Sequence, residues 1–437
     1  MKRYFRWIST MLFLAFVIVG ALETTGCGKA SSSSKIHLTI SSWGGINENA
    51  ILSRMIGDFE KKHPNIRVHL ERVPYNNYVP KLMTDIAGGV APDVIFVEVG
   101  NFANFYYSHA LQPLNSFIQA DPNFKLSAYY PQEIRHFTVD QQVYVVPRDI
   151  APIACVFYNE NEFKAAHLPY PNDNWNWNQF LYDARHLTKR LPDGHTTQWG
   201  VIDDWTMIEP WIYSAGCQWV NNIEHPTQWT LAATPNFLTA IRFRRNLITK
   251  YKVMIPPASL SAIGGAGTSD LFINGKVAMF ISGIWRTPPF RHEIKNFKWN
   301  VAMFPKGPTG IRAFASGGSG YAILKSCKHK QAAWKLIKYI DGVKGETLLA
   351  QTGLAQPAMM SVAESKAFLD KLPPLNKKML LKAVKYAIFP PLATNFAEVE
   401  NGLVYPALDD VWDGRKSVVK ATKQIRRILA KNPPRDK

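Results

Sequence analysis

The chain has 437 residues, which suggests two or three domains, and 46% of them are hydrophobic, enough for a sizeable core. Its formal net charge of +18 favours anionic partners. The lysines and arginines are scattered, however, without the basic-aromatic cluster of a nucleic-acid groove, so we expect no nucleic-acid partner and interpret the charge as a solvated surface.

The first residues resemble a bacterial lipoprotein export signal, and we expect residues 1–26 to be a signal peptide. A basic start precedes the apolar stretch from Trp7 to Leu22, which is too short to span a membrane comfortably. Cys27 follows and would carry the lipid, although Thr24 stands where the lipoprotein pattern prefers leucine. Ordinary secretion and an uncleaved anchor are the alternatives. The serine run within residues 27–35 predicts a flexible tether.

The next part of the chain alternates between strand and helix patterns. The segments, in order, are 36–40, 52–59, 66–70, 76–88 and 94–97. The last of them is a continuous apolar run, typical of a strand buried on both faces. This β-α-β-α-β order predicts a parallel sheet in an α/β fold. Ligands of such sheets bind beyond the carboxyl ends of the strands, here residues 41–45 and 98–101.

The middle of the chain, roughly residues 160–310, has a different composition and is rich in Trp, Asn and Pro. Helical patterns recur around 177–190 and 234–251, so we interpret this part as a second lobe, helix-rich with a small sheet of its own. Residues 320–324 then form a strand pattern, followed by a helix. Residues 375–437 are predicted to be helical and basic, as a solvated outer layer.

A charged pair, Arg148 and Asp149, interrupts the apolar run 144–159. Burying an unpaired charge is costly, so the pair needs a reason to be there. Arg148 either pairs with an acidic neighbour or meets an anionic ligand. Asp149 is a candidate acceptor for ligand hydroxyl groups.

The cysteines give little evidence of chemistry. Cys155 lies in an apolar run and is predicted to belong to the core. The absence of a C-x-x-C motif argues against zinc ribbons and thioredoxin-type sites. A disulfide between Cys217 and Cys327 fits an oxidising compartment, but the sequence leaves it open.

Signatures of catalysis or metal binding are few. The phosphate-binding loop, the G-x-S-x-G elbow and the H-E-x-x-H motif are absent, and the 11 histidines show no ligand pair at helical spacing. We therefore predict no metal and no cofactor. We interpret Ser417–Lys420, an S-x-x-K match, as part of a helix, and the glycine-rich residues 264–267 as a loop. Asp203, Asp204 and Glu209 are candidate carboxylates of a secreted glycoside-active enzyme, which is the alternative class.

Tryptophans at predicted strand and loop ends indicate saccharide binding. Those with glycine or aspartate nearby are Trp43–Gly44, Asp204–Trp205 and Gly283 to Trp285. Sugar rings have apolar faces and polar rims, so their pockets need flat aromatic rings together with carboxylates, amides and arginine. Glycine lets backbone N–H groups approach. For each single tryptophan, plain core packing is the alternative.

Several stretches together resemble one family. They are LTISSWGG (38–45), the segments 57–105 and 144–180, LFINGKVAMFISGIW (271–285) and ASGGSGYAIL (315–324). They resemble the carbohydrate-type solute-binding proteins of bacterial ABC importers, the maltose-binding-protein-like group. The resemblance implies an α/β, two-lobe periplasmic-binding-protein fold with hinge crossovers and a ligand cleft between the lobes. It also implies a monomer that captures a solute outside the membrane and delivers it to an ABC permease without catalysis.

The resemblance also suggests where the lobes begin and end. Residues 36–147 and 317–365 would form the first lobe, and residues 148–316 the second. Residues 366–437 would be C-terminal helices, mostly in the second lobe. We expect the protein in the periplasm or at the extracytoplasmic membrane surface, held by a lipid anchor.

Matched residue by residue, the resemblance implies a set of ligand contacts. They are Trp43, Gly44, Glu98, Asp149, Trp205, Gly283, Trp285, Gly317 and Gly318. Glu98-Val99-Gly100 also resembles the branch that binds glycerol 3-phosphate or glycerophosphodiesters. The charge of +18 would suit such a ligand, with Arg148 and Arg286 as anion contacts. The substrate therefore stays open between a sugar and a glycerol phosphate.

Overall fold

A computed structural model of the protein describes residues 35–204, 207–260 and 267–436. Some predictions fall on residues outside these ranges: the signal peptide 1–26, the lipidation of Cys27, nearly all of the tether 27–35, the ligand contact Trp205 and most of the loop 264–267. Among the residues that are described, no helix combines the length and the apolar character needed to cross a membrane.

The described chain contains short strands and helices throughout. The strands are β1 (Ile36–Ser42), β2 (Ile66–Arg72), β3 (Val94–Glu98), β4 (Thr138–Val139), β5 (Gln142–Val143), β6 (Val146–Pro152), β7 (Cys155–Asn159), β8 (Lys189–Arg190), β9 (Thr196–Asp203), β10 (Val277–Ser282), β11 (Trp299–Met303), β12 (Phe314–Ile323), β13 (Gln356–Pro357) and β14 (Ala387–Ile388).

The α-helices alternate with these strands, and a π-helix spans Glu398–Val404. The α-helices are α1 (Ile46–Lys62), α2 (Tyr75–Ala87), α3 (Phe102–Tyr107), α4 (Asn115–Gln119), α5 (Pro131–His136), α6 (Glu160–Ala165), α7 (Trp177–Leu187), α8 (Glu209–Ser214), α9 (Pro235–Thr249), α10 (Pro257–Leu260), α11 (Thr268–Ile273), α12 (Thr287–Glu293), α13 (Lys330–Ile340), α14 (Val343–Thr352), α15 (Met360–Ala363), α16 (Lys378–Ala383), α17 (Tyr405–Trp412) and α18 (Val418–Lys431).

The first sheet has the strand order β13-β6-β12-β3-β1-β2, with β14 beside β12. Strand β1 pairs in parallel with both β2 and β3, and helices α1 and α2 connect them. The predicted β-α-β-α-β order and its parallel sheet are therefore confirmed. Strand β3 is apolar and buried except at its last residue, because strands flank it on both sides.

The second sheet has the order β11-β7-β10-β9-β8. Strand β10 runs parallel to β9 and antiparallel to β7. The carboxyl ends of β9 and β10 therefore lie at one edge of this sheet. The second lobe is thus helix-rich with a small sheet, as its composition predicted.

The chain passes from the first sheet to the second between β6 and β7, and it returns between β11 and β12. The crossing strands β6 and β12 pair with each other, antiparallel, with an irregularity between Ser319 and Gly320. The crossing lies later than the predicted boundary at residue 148, because β6 stays in the first sheet up to Pro152. Strand β12 also begins before the predicted start at residue 320. The lobe boundaries in the C-terminal part stay predictions.

Each sheet has its own hydrophobic core. Ile40, Phe96 and Ile337 belong to the core of the first sheet, and Trp211 and Phe280 to that of the second. Six of the tryptophans of the middle region are buried in the second core: Trp175, Trp177, Trp211, Trp219, Trp229 and Trp299. For these six, core packing explains the residue.

The described cysteines are free thiols. Cys155 is buried in the second core, as predicted. Cys217 lies in the second core, whereas Cys327 lies in the first. The disulfide that the sequence left open is therefore not formed.

Candidate functional site

The carboxyl ends of β1 and β3 meet at one edge of the first sheet, because these strands are parallel. Trp43 follows β1 and is partly buried, with its ring centroid 4.2 Å from that of Phe96 and 5.8 Å from that of Tyr75. Glu98 is the last residue of β3. Two of the predicted ligand contacts, Trp43 and Glu98, are thus brought to the same edge, next to an exposed tyrosine.

Glu98 accepts a hydrogen bond from Tyr75 Oη at 3.0 Å, and Asn101 Nδ2 lies 3.5 Å from the same oxygen. Burial raises the pKa of Glu98 to about 7, and the nearby charge of Asp149 raises it further, against the opposing effect of the Tyr75 hydrogen bond. The carboxyl group can therefore hold a proton close to neutral pH, acting as either donor or acceptor.

Arg148 and Asp149 lie in the middle of β6, and both are buried, at 9% and 3% exposure. Arg148 Nε is 2.7 Å from Asp149 Oδ2, and its Nη1 is 2.5 Å from Glu48 Oε1. Asp149 Oδ2 also accepts from Ser319 Oγ at 2.8 Å. Arg148 therefore pairs with acidic neighbours, which was one of the two alternatives, and its contact with an anionic ligand stays a prediction. Asp149 as a ligand contact stays a prediction.

Glycines near these charges are required for close packing. A Cβ atom at Gly44 would lie 2.7 Å from Cγ of Glu48, the partner of Arg148. Gly318 has φ +144°, and a Cβ there would lie 2.3 Å from Oε1 of the buried Glu133. A Cβ atom at Gly317 would lie 3.3 Å from a backbone oxygen, which is a tight contact but not a clash. These glycines thus have packing reasons, while their contact with a ligand stays a prediction.

Asp203 is enclosed in the second lobe. Its two carboxylate oxygens accept from Arg244 Nη2 and Nε, each at 2.7 Å, and Trp211 Nε1 lies 3.2 Å from Oδ2. The side chains of Arg244 and Asp203 are 1% and 2% exposed. Arg244 also lies over the ring of Trp412, 4.1 Å from its centroid. Asp203 is therefore held in the core of its lobe by a buried ion pair.

Asp204 is also engaged by side chains of its own lobe. It accepts from Thr268 Oγ1 at 2.6 Å, from Ser282 Oγ at 2.8 Å and from Arg286 Nη2 at 2.7 Å. Its side chain is fully buried. Arg286, the second candidate anion contact, is thus committed to an internal carboxylate, as Arg148 is.

Gly283 and Trp285 follow β10 at the carboxyl edge of the second sheet. Trp285 is partly buried, and its ring lies directly over Gly283: a Cβ atom on the glycine would be 1.9 Å from Cζ3 of the indole. The absence of a side chain at Gly283 is therefore what lets the indole occupy this position. Trp205, another predicted ligand contact, lies outside the described residues.

Sequence analysis singled out no carboxyl pair as a ligand contact in the second lobe, but the structure brings one together. Tyr405 Oη donates to Glu209 Oε2 at 2.6 Å, and the carboxyl group of Glu400 lies beside that of Glu209. Burial, followed by the charge of Glu209, raises the pKa of Glu400 well above its usual range, and the charge of Glu98 contributes too. Glu400 also raises the pKa of Tyr75, after the larger effect of Glu98. Carboxyl groups from both lobes are therefore close enough to influence one another electrostatically.

The sequence signal for this pair was weak. Glu209 had been singled out only as a candidate catalytic carboxylate. Glu400 lies in the π-helix, whose i→i+5 bonding leaves no regular 3.6-residue pattern, although such segments often mark functional sites. Its acidic character within the basic C-terminal region was the only signal available.

Two cavities lie on the second lobe, and none of the described residues among the predicted ligand contacts lines either of them. One, of about 610 Å³, is lined by residues that include Trp177, Arg242 and Lys306. The other, of about 540 Å³, is lined by residues that include Trp199 and Trp412. In the described ranges, no group of three His, Cys, Asp or Glu side chains is arranged to hold a metal ion. The strand-end residues thus remain the better candidate site.

The raised pKa of Glu98 predicts a pH-dependent effect of Glu98→Gln. Below its ordinary value of 4.5, Glu98 is protonated in both the folded and the unfolded chain. As the pH rises from 4.5 to about 7, only the unfolded state loses the proton, so the folded state becomes relatively less stable. The melting temperature of Glu98→Gln, relative to the unmodified protein, should therefore rise with pH and level off above about 7. Thermal unfolding at several pH values measures this, and a pH-independent difference would contradict it.

Comparisons with known proteins give the family and the fold. The family model described as bacterial extracellular solute-binding protein matches residues 43–345. A multiple sugar-binding protein of Streptococcus mutans is 24% identical over 383 residues, covering 85% of this chain and 87% of that protein. An ABC substrate-binding protein of Listeria monocytogenes, solved in complex with cycloalternan, superposes with a TM-score of 0.80 at 24% identity, covering 91% of this chain and 98% of that one. A maltose-bound protein of T. maritima gives a TM-score of 0.77 at 20% identity, with 90% and 99% covered.

Proposed function

The chain belongs to the bacterial extracellular solute-binding protein family, and from this premise we propose that it captures a saccharide between its lobes for an ABC permease. One observation carries the saccharide proposal. Flat aromatic rings and hydrogen-bond acceptors stand side by side at the carboxyl edge of the first sheet, with Trp43 and Tyr75 next to Glu98. Stacking on the apolar face of a sugar and bonding to its hydroxyl groups need this combination.

The names of similar proteins support the same ligand class. The Streptococcus mutans relative is a multiple sugar-binding protein, and the two solved structures hold cycloalternan and maltose. The region matched to each of these proteins includes most of this chain. We propose a saccharide for this chain on both grounds, the site chemistry and the likeness.

The proposed contacts are those that the sequence indicated: Trp43, Gly44, Glu98, Asp149, Trp205, Gly283, Trp285, Gly317 and Gly318. In this proposal Trp285 stacks on a sugar ring, and Glu98 and Asp149 accept from sugar hydroxyls. Strands β6 and β12, which cross between the sheets, are the hinge about which the lobes close.

The alternatives have less support. A glycerol phosphate would need cationic groups, but Arg148 and Arg286 already pair with Glu48, Asp149 and Asp204. We also propose that the protein is not an enzyme, since Asp203 and Asp204 are tied into internal hydrogen bonds. It acts as a monomer outside the cytoplasm, anchored by a lipid on Cys27 after removal of residues 1–26, which mass spectrometry of the mature N-terminus tests.

A thermal-shift screen of saccharides and glycerol phosphates tests the proposal. A ligand that binds only the folded state stabilises it by about 2.7 kcal/mol at a concentration of about 100 Kd, so the melting temperature should rise by several degrees. We expect the rise with at least one mono- or oligosaccharide and none with glycerol 3-phosphate. A rise with glycerol phosphates alone would contradict the saccharide proposal.

A further inference from the structure

The proposed cleft contains unpaired acids, although the chain as a whole has a net charge of +18. Glu98 comes from the first lobe, and Glu209 and Glu400 come from the second. Among the residues with described positions, none of these three forms an ion pair with a lysine, arginine or histidine. The excess positive charge is therefore not used to neutralise this part of the cleft.

One oxygen in this cluster lacks a conventional donor. Glu209 is 8% exposed, and its Oε2 accepts from Tyr405. Within the described ranges, its buried Oε1 has no N–H or hydroxyl donor, and its neighbour is the carboxyl group of Glu400. Two adjacent carboxyl groups repel each other when both are ionised. The pair therefore presents acceptor oxygens that a donor carrying positive charge would complement.

The first lobe adds to this negative field. The described hydrogen-bond donors to Glu98, which are Tyr75 and Asn101, are neutral. The charge of Glu98 also interacts with the charges of Asp149 and Glu400. The charged groups that face the cluster are thus carboxylates from both lobes, and the nearby Arg148 is already paired with Glu48 and Asp149.

We propose that the cleft selects saccharides that carry a protonated amine over neutral saccharides of the same size, through Glu98, Glu209 and Glu400. This inference rests on the proposed function, since it specifies the ligand class of the same cleft. An ammonium group offers three donors and one positive charge to acceptors that otherwise repel each other.

Isothermal titration calorimetry at pH 7 with matched sugars tests this selection. Suitable pairs are glucose with glucosamine, and cellobiose with the β-1,4-linked glucosamine disaccharide, because an ammonium replaces one hydroxyl group on each sugar ring. The N-acetylated sugars restore neutrality on the same skeleton. We expect the amine to bind at least about tenfold more tightly than both neutral forms, a preference that falls with added salt. Binding should also release protons, because the ammonium lowers the pKa of the carboxyl groups; titration in two buffers of different ionisation enthalpy measures this release.

Glu400→Gln and Glu98→Gln should each reduce the amine preference to below about threefold. Glu398→Gln is the matched control, since Glu398 lies in the same π-helix with a side chain that is 60% exposed, and it should keep the preference. If a variant fails to fold, the proton release of the unmodified protein decides, and zero release or proton uptake overturns the inference. Neutral sugars that bind as tightly as their amines overturn this inference alone. A folded protein that binds no sugar of any pair overturns the proposed function and the inference with it.

Discussion

Trp285→Ala should weaken saccharide binding by about thirtyfold or more while changing the melting temperature of the unliganded protein little. A buried aromatic contact in a binding site is typically worth about 2 kcal/mol or more, which corresponds to this factor. Trp285 is partly buried at the carboxyl edge of the second sheet, so its removal leaves the core intact. Titration calorimetry with the best saccharide of the screen measures the affinity.

Two variants sharpen the Trp285 experiment. Gly283→Ala should also weaken binding, because the added Cβ would lie 1.9 Å from the indole and must displace it. Trp199→Ala is the control: Trp199 is also partly buried in the second lobe, but it lines a cavity away from the proposed contacts. Unchanged affinity in Trp285→Ala, or an equal loss in Trp199→Ala, would refute the stacking assignment.

Arg244→Met should lower the free energy of unfolding by about 3–5 kcal/mol, since it leaves one buried charge without its partner. Of the described side-chain hydrogen bonds to Asp203, the one from Trp211 would remain, with the Asp203 side chain 2% exposed. The contact of the guanidinium with the Trp412 ring would be lost as well. Urea unfolding followed by tryptophan fluorescence measures the change.

Arg415→Met is the matched control for Arg244→Met. Arg415 also pairs with aspartates, Asp410 and Asp413, but its side chain is 62% exposed. Exposed ion pairs contribute about 0–1 kcal/mol, so this variant should unfold almost like the unmodified protein. Equal losses in the two variants would mean that Asp203 is not the enclosed structural residue described above, and it would return as a candidate catalytic group.

Local patterns predicted the first sheet well. The period-2 segments at 36–40 and 66–70 became β1 and β2, and the continuous apolar run became β3. The helix after β12 buries the predicted face, with Ala333, Leu336, Ile337 and Ile340 in the first core. In these segments, burial on one or both faces sets the spacing of the apolar residues, so this spacing predicts the strand or helix directly.

Long-range pairing could not be read in this way. The sequence showed that Arg148 and Asp149 needed a reason to be buried, but not that Glu48 and Ser319 would supply it. The later crossing point has the same origin, because β6 is extended by its pairing with β12 on one side and β13 on the other. Arg148 and Asp149 can be buried inside a strand because residues distant in the chain form ion pairs and hydrogen bonds with them.

In the proposed site, too, some contacts follow from local sequence patterns and others depend on long-range pairing. Trp43 and Glu98 follow predicted strands, so the topology alone brings them together. The Glu209–Glu400 pair depends on a π-helix and on a contact between distant parts of the chain within the second lobe, and neither leaves a periodic signal. The net charge of +18 favoured an anionic ligand, whereas the proposed site includes several carboxyl groups.

The most direct test of the central claim is to identify what the folded protein retains. The purified protein is incubated with a mixture of mono- and oligosaccharides, separated from free sugar by gel filtration, denatured, and the released compound is analysed by mass spectrometry. The account predicts an intact, unhydrolysed saccharide that the unmodified protein and Trp199→Ala retain and Trp285→Ala does not. Recovery of hydrolysed fragments, or of no saccharide at all, would contradict it.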